Sequence, residues 1–265
     1  MKLKILLQYA ILGVIQGLAE IIPISSSGHL FIAQELLNIK EFNLALEVFL
    51  HLASLLALLI FYRKKLINII KGFFMYLCKK KQDSKSEFKL GLYIILGSLP
   101  AAILGFLFKD KIEEKMLNSL SVGCCLIITG FLLLVSKRFT KREKNLDGKK
   151  ALSIGVFQGM GIIPGISRSG ITLFGSKVNN VNDNEGVDYV FLLLIPICLG
   201  AFLFSLKDLS LFFNNLYLIP IIIAFILAFI FTFIGLKIFY KLIHQEKMKY
   251  FAVYCFIMGF LTLFL

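Results

Sequence analysis

Six apolar runs dominate the chain, at about Leu44–Tyr62, Leu90–Phe108, Met116–Ser136, Tyr189–Leu206, Leu216–Leu236 and Tyr250–Leu265. Each is close to the ~20 residues that carry a helix across a ~30 Å hydrocarbon core, the last a little short. Outside the membrane such runs would leave too much apolar surface in water. With 58% hydrophobic residues and a mean hydropathy of +0.85, the sequence reads as an all-α integral membrane protein. No ten-residue alternation marks β-barrel strands. The N-terminal stretch MKLKILLQYAILG has the charge and apolarity of a signal peptide, but no small-residue cleavage pattern follows, and it is expected to be retained.

Two further segments are apolar but broken. GVIQGLAEIIPISSSG (13–28) and GVFQGMGIIPGISRSG (155–170) align without a gap at a shift of 142 positions, with nine identical pairs in sixteen. Pro23, Gly28, Pro164, Gly165 and Gly170 interrupt both as helices. Ala151–Ile163 is thirteen residues, the apolar stretch from Ile171 about eight, and Leu30–Leu37 equally short, so neither half is expected to cross alone. The economical reading is two re-entrant helix–loop–helix hairpins, at about 5–37 and 151–177. Bare loop backbone at membrane depth is tolerated only inside protein or beside a wet cavity. Three spans, an odd number, separate the hairpins, so the second enters from the opposite face. The expected fold is one membrane domain: six transmembrane helices plus two hairpins in an inverted-topology repeat, with halves 1–136 and 137–265 and the loops meeting near the midplane.

The formal net charge is +13. With this topology, 21 Lys/Arg fall on one side and seven on the other, leaving Arg168 inside. The basic side is expected to be cytoplasmic, with both termini and the first hairpin outward. Segment 63–78 has the pattern of an amphipathic helix lying on the membrane. No basic-aromatic pattern on a soluble domain supports nucleic-acid binding. The five cysteines form no C-x-x-C pair and read as packing residues.

Between the matched loops, shared positions read as scaffold and changed positions as specialised. Ser25 and Ser27 recur as Ser167 and Ser169, whereas Ser26 faces Arg168, Glu20 faces Ile162 and His29 faces Ile171. A charge inside the membrane needs a partner, and a guanidinium suits phosphate. Arg168 is therefore either a structural partner of Glu20 or an anion clamp. The convergence of two Ser/Gly loops favours the clamp, helped by loop N–H groups and a helix N-terminus. Glu20 is a candidate general base or metal ligand. Gln16, four residues earlier, shares its helical face. Ser26 is a candidate nucleophile, His29 a proton carrier or nucleophile, and the flanking serines are phosphate contacts or helix caps. Gly13/Gly17 and Gly155/Gly159 permit close helix contact. Glu47 and His51, four apart at the outer end of the first span, are placed to line the cavity, Glu47 as a supporting residue. One acid, one imidazole, one guanidinium and many hydroxyls suit phosphoryl chemistry.

The stretches QGLAEIIPISSSGH (16–29) and PGISRSGIT (164–172) resemble the two signature motifs of the bacterial undecaprenyl-diphosphate phosphatase (bacitracin-resistance) family. The likeness extends over the chain in length, spans, hairpins and repeat. It implies an enzyme of the bacterial plasma (inner) membrane with its active site open to the outer, periplasmic face. The implied reaction is hydrolysis of undecaprenyl diphosphate to undecaprenyl phosphate and inorganic phosphate. That recycles the lipid carrier for peptidoglycan synthesis and confers bacitracin resistance. It implies a divalent cation, Mg²⁺ or Ca²⁺, near Glu20. By motif match, His29 and Ser26 are catalytic, with Glu20 and Arg168; Ser167, Arg168 and Thr172 bind phosphate, with Ser25, Ser27 and Ser169 beside them. Gln16 stands where some members carry Glu, and Val190 where a serine is expected. Ser26, His29 and water all stay open as the attacking group. The implied partners are a polyprenyl diphosphate and membrane lipids; monomer and homodimer are both open. The alternative from a different class is a polyprenyl-phosphate transporter using the same midplane site.

Overall fold

A computed structural model describes residues 2–39, 44–139, 144–204, 217–243 and 247–265. Lys40, Lys141, Arg142 and Lys207, which entered the charge count, and the ends of two expected runs at 205–206 and 216 lie outside the described residues. The described chain is all-helical apart from a single bridge between Lys144 and Val181. Its helices are α1 (Lys2–Ile21), α2 (Ser26–Leu37), α3 (Leu44–Phe61), α4 (Arg63–Lys79), α5 (Lys85–Met116), α6 (Ser119–Ser136), α7 (Gly148–Met160), α8 (Arg168–Val178), α9 (Asp183–Phe204), α10 (Leu218–Ile243) and α11 (Met248–Thr262). Five are long and apolar enough to cross a membrane, or six if α3 and α4 count as one broken span. The protein is a multi-pass membrane protein.

The expected runs reappear as α3, α5, α6, α9, α10 and α11, with shifted ends. α5 extends to Lys85 and Met116 because charged residues at both ends lower hydropathy without breaking a helix. α11, with 15 residues, is about 22 Å long and stays short of a full crossing by itself.

One expectation needs correction. The first arm of the first hairpin is not short: α1 has 20 residues, about 30 Å, and is among the five candidate spans. Lys2, Lys4, Gln8 and Gln16 interrupt the apolar pattern but are good helix formers. How deep α1 reaches is set by its neighbour. The Tyr9 ring stacks on Tyr217 at 6.1 Å. A Cβ on Gly13 would lie 2.2 Å from the Ala224 carbonyl oxygen, and one on Gly17 would lie 2.5 Å from that of Ala228. Ile21 reaches Gly235, eight residues before the end of α10. Thus α1 begins beyond the start of α10 and stops about 12 Å short of its end.

α7 behaves alike against α5. A Cβ on Gly155 would lie 2.2 Å from the Gly97 carbonyl oxygen, and one on Gly159 would lie 2.7 Å from Leu104. α7 ends at Met160, beside this part of α5, while α5 continues to Met116. In both pairs the missing side chains allow backbone-to-backbone contact. α11 packs on α6 through Gly123, Gly130 and Gly259 in the same way.

α4 leaves α3 at a bend of 74°. Its Ile67, Ile70, Phe74 and Leu77 are exposed along one face, as an interfacial helix requires. The corner is tied down by Asp188 of α9. It accepts hydrogen bonds from Tyr62 (3.2 Å) and Tyr240 and pairs with Lys65, joining α3, α4, α9 and α10.

Candidate active site

The two loops cap the helices that follow them by the same device. Ser25 Oγ accepts from the Gly28 amide at 3.3 Å, and Ser167 Oγ accepts from the Gly170 amide at 3.1 Å. Ser27 and Ser169 lie 3.4 and 3.3 Å from the respective cap hydroxyls. Thr129 of α6 accepts from the Ser167 amide and donates to the Gly165 carbonyl, fixing the second loop. The tips touch: a Cβ on Gly28 would lie 3.2 Å from Gly165 Cα, and one on Gly170 would lie 3.3 Å from Pro23 Cβ. The N-termini of α2 and α8 therefore converge, bringing two positive dipole ends and their free amides together.

A polar cluster occupies this convergence. Glu20, at the end of α1, is buried, and its Oε2 accepts from Ser26 Oγ at 2.7 Å and from Gln16 Nε2 at 3.1 Å. His51 Nε2 lies 3.2 Å from the same oxygen. Arg168, the first residue of α8, acts electrostatically on Glu20 and His51 and lies beside Cys198 of α9. A narrow crevice adjoins it, lined by Gln158, Arg168, Ser169, Thr172, Val190, Phe191 and Leu194. A separate groove of about 480 Å³ lies at the free ends of α1 and α2, around Leu3, Leu7, Ile11 and Leu36. A carboxylate beside a guanidinium, an imidazole and two helix N-termini leaves the cluster with an excess of positive potential, suited to an anion.

His29 is arranged differently. Its Nδ1 lies 2.8 Å from the Ser25 carbonyl oxygen, which can only accept, so Nδ1 carries the proton. Nε2 lies 2.8 Å from the Tyr254 hydroxyl of α11, and the two rings stack at 5.4 Å. His29 is three residues after Ser26, on the same side of α2.

Of the residues singled out from sequence, Glu20, Ser26 and Gln16 are joined by hydrogen bonds, and Arg168 is near enough to act on Glu20 electrostatically. Ser25 and Ser167 act as caps, with Ser27 and Ser169 paired to them. Thr172 Oγ1 donates to the Arg168 carbonyl at 2.6 Å, which ties the first turn of α8. Glu47 contributes its backbone: its carbonyl accepts from His51 Nδ1 at 2.8 Å. The outer-end placement of His51 is corrected, since it is the eighth of eighteen residues in α3 and sits near its middle. His51, expected with Glu47 to line the cavity, reaches the Glu20 carboxylate itself, while Tyr254 and Cys198 were not selected from sequence. For His51 a signal exists: the 142-residue shift sets it opposite Leu193, the same kind of mismatch that marked Glu20 and His29. Tyr254 and Cys198 carry no such mark, because they arrive through tertiary packing alone.

Fold and cluster together describe a polytopic membrane protein with a buried polar cluster in its interior. The chain belongs to the bacitracin resistance protein BacA family, which matches residues 9–261. It is 40% identical over 261 residues to undecaprenyl-diphosphatase 2 of Bacillus thuringiensis (strain Al Hakam), covering 97% of each chain. It is 38% identical to an undecaprenyl-diphosphatase of Oceanobacillus iheyensis, covering 97% of this chain and 96% of the relative. It is 33% identical to undecaprenyl-diphosphatase 2 of Halalkalibacterium halodurans, covering 98% and 95%.

Proposed function

We infer that this protein hydrolyses undecaprenyl diphosphate to undecaprenyl phosphate and inorganic phosphate, recycling the carrier lipid for cell-wall synthesis and conferring bacitracin resistance. The observation that carries the reading is the hydrogen bond from Ser26 Oγ to Glu20 Oε2, beside Arg168, in a chain whose full-length relatives are undecaprenyl-diphosphatases.

A nucleophile within hydrogen-bond reach of a base is the arrangement nucleophilic catalysis needs. Arg168 and the amides at the starts of α2 and α8 bind the terminal phosphate. Ser26 Oγ attacks the terminal phosphorus while Glu20 takes its proton. The bond from that phosphorus to the bridging oxygen breaks, and undecaprenyl phosphate leaves with the oxygen. Water then attacks the phosphoserine, His29 Nε2 taking a proton once Tyr254 turns aside. The bond from phosphorus to Ser26 Oγ breaks, inorganic phosphate leaves, and Oγ takes its proton back from Glu20. Positioning and charge stabilisation supply most of the barrier reduction in phosphoryl transfer.

A divalent cation fits sparingly. Gln16 Oε1 is a buried acceptor with no hydrogen-bond partner, next to the single carboxylate of the cluster. Among the described residues no three His, Cys, Asp or Glu side chains are grouped as a metal site. Glu20 and Gln16 would hold Mg²⁺ or Ca²⁺ together with substrate oxygens and water. Once bound, the ion would neutralise charge on the diphosphate.

The arrangement in the membrane belongs to the same reading: α1–α2 and α7–α8 are re-entrant hairpins, and α3, α5, α6, α9, α10 and α11 are the six spans. Support comes from α1 and α7, which both stop part-way along their partners. The pairing is also exchanged, α1 with α10 and α7 with α5, as an inverted repeat of 1–136 and 137–265 would produce. The first loop opens to the outer face of the plasma membrane, in keeping with the charge asymmetry.

Purified protein given a prenyl diphosphate should release inorganic phosphate and the lipid monophosphate in equal amounts, and Ser26→Ala should slow the release by about 100-fold or more. Movement of intact lipid across vesicles without phosphate release would replace this reading with transport.

A further inference from the structure

We propose that His51 is a positioning residue for the reaction, a third member that holds the Glu20 carboxylate in line with Ser26. This deepens the reading above and rests on it. The side chains form a chain of contacts: Ser26 Oγ donates to Glu20 Oε2 at 2.7 Å, His51 Nε2 meets that oxygen at 3.2 Å, and His51 Nδ1 meets the Glu47 carbonyl at 2.8 Å. The carbonyl accepts only, so Nδ1 is a donor. Nε2 then faces a carboxylate oxygen, another acceptor, and a proton must lie between them. Because the helix backbone grips one ring nitrogen, the ring cannot swing, and the other nitrogen pins Oε2 where Ser26 needs it. A base oriented by a third group is what makes a nucleophile–base pair effective.

Two comparisons within the molecule strengthen the assignment. His29 also has Nδ1 on a carbonyl, but its Nε2 faces a phenol rather than a carboxylate. The counterpart of His51 in the second half is Leu193, whose carbonyl accepts from Gln158, itself the counterpart of Gln16, at 3.3 Å. That half has Ile162 in place of Glu20, so it has no carboxylate to orient and no imidazole in α9 to orient it. Within this chain, the half that carries Glu20 carries His51, and the half that lacks the one lacks the other. The neighbouring α3 contact, Ser54 Oγ to Thr232 Oγ1 at 2.9 Å, already anchors α3 to α10 without help from His51.

The test compares His51→Ala with His51→Gln, both purified in detergent, in steady-state phosphate release from a prenyl diphosphate. A glutamine amide keeps a donor within reach of Oε2; alanine does not. His51→Ala should lower kcat by about 100-fold, the usual scale for a disabled general base, with KM changed by less than about threefold. His51→Gln should recover to within about tenfold of the unaltered protein, since one hydrogen bond is restored. An alanine variant within threefold of normal kcat, a loss confined to KM, or a glutamine variant as slow as alanine would overturn the proposal. Glu20→Gln in the same assay separates the two readings. If it turns over normally, the Ser26–Glu20 mechanism fails; if it is impaired while His51→Ala is not, only the role of His51 fails.

Discussion

In the loop after α1 the cap residue Ser25 has φ 74°, and in the loop after α7 its counterpart Ser167 has φ −69°, yet both make the same bond to a glycine amide three residues on. The left-handed backbone of the second loop falls instead on Gly165, at φ 90°, where no Cβ resists it. A non-glycine residue held at positive φ is strained, and such strain collects at functional sites. Here it falls in the loop that aims Ser26 at Glu20. The duplicated loop is therefore a common frame for two different tasks. One copy presents a hydroxyl, a carboxylate and an imidazole, and the other presents a guanidinium. In the proposed reading neither is a complete site, and the touching tips bring the two halves together.

This division of labour is broken most severely by Arg168→Ala. It should reduce phosphate release by about 1,000-fold or more, the scale seen when a cation on a transferring phosphoryl group is removed, with the protein still inserted in membranes. Ser26→Ala should cost about 100- to 1,000-fold in kcat, leaving the residual rate that binding and charge stabilisation give to water. Unequal consequences at the same aligned position, loss of a clamp against loss of a nucleophile, should show as a raised KM in the arginine variant and an unchanged one in the serine variant.

The frame itself predicts equal effects in the two halves. Gly13→Ala and Gly155→Ala each drive a methyl to 2.2 Å from a carbonyl oxygen of the facing helix. Each should lower stability by about 1–3 kcal/mol, the usual cost of overpacking, read as a lower thermal midpoint in detergent. A large effect in one half only would mean that α1 and α7 are not equivalent struts. The smallest effect separates the caps. Ser25→Gly relieves the positive φ and should leave the midpoint unchanged or raise it. Ser167→Gly adds backbone freedom where none is needed and should lose about 0.5–1 kcal/mol.

Much of this was legible in sequence. Apolar run lengths gave the helices, and the mismatches inside the duplicated loop marked Glu20, Ser26, His29 and Arg168. The length of α1 was not legible, because Gln8 and Gln16 lower hydropathy without weakening a helix whose buried face is set by α10. The partners of His29 and Arg168 were hidden for another reason. Tyr254 lies 225 residues from His29, and Cys198 lies on a separate helix from Arg168. Only packing brings them in. Glu47 shows the converse: its spacing from His51 was readable, but not that its carbonyl rather than its carboxylate is used.

The most direct measurement of the shared site is an experimental structure with vanadate bound. The two-loop account predicts one vanadate touching both Ser26 Oγ and the Arg168 guanidinium, at hydrogen-bonding or covalent distances of about 3 Å or less. Vanadate held by one loop alone, with the other loop's residues out of contact, would contradict it.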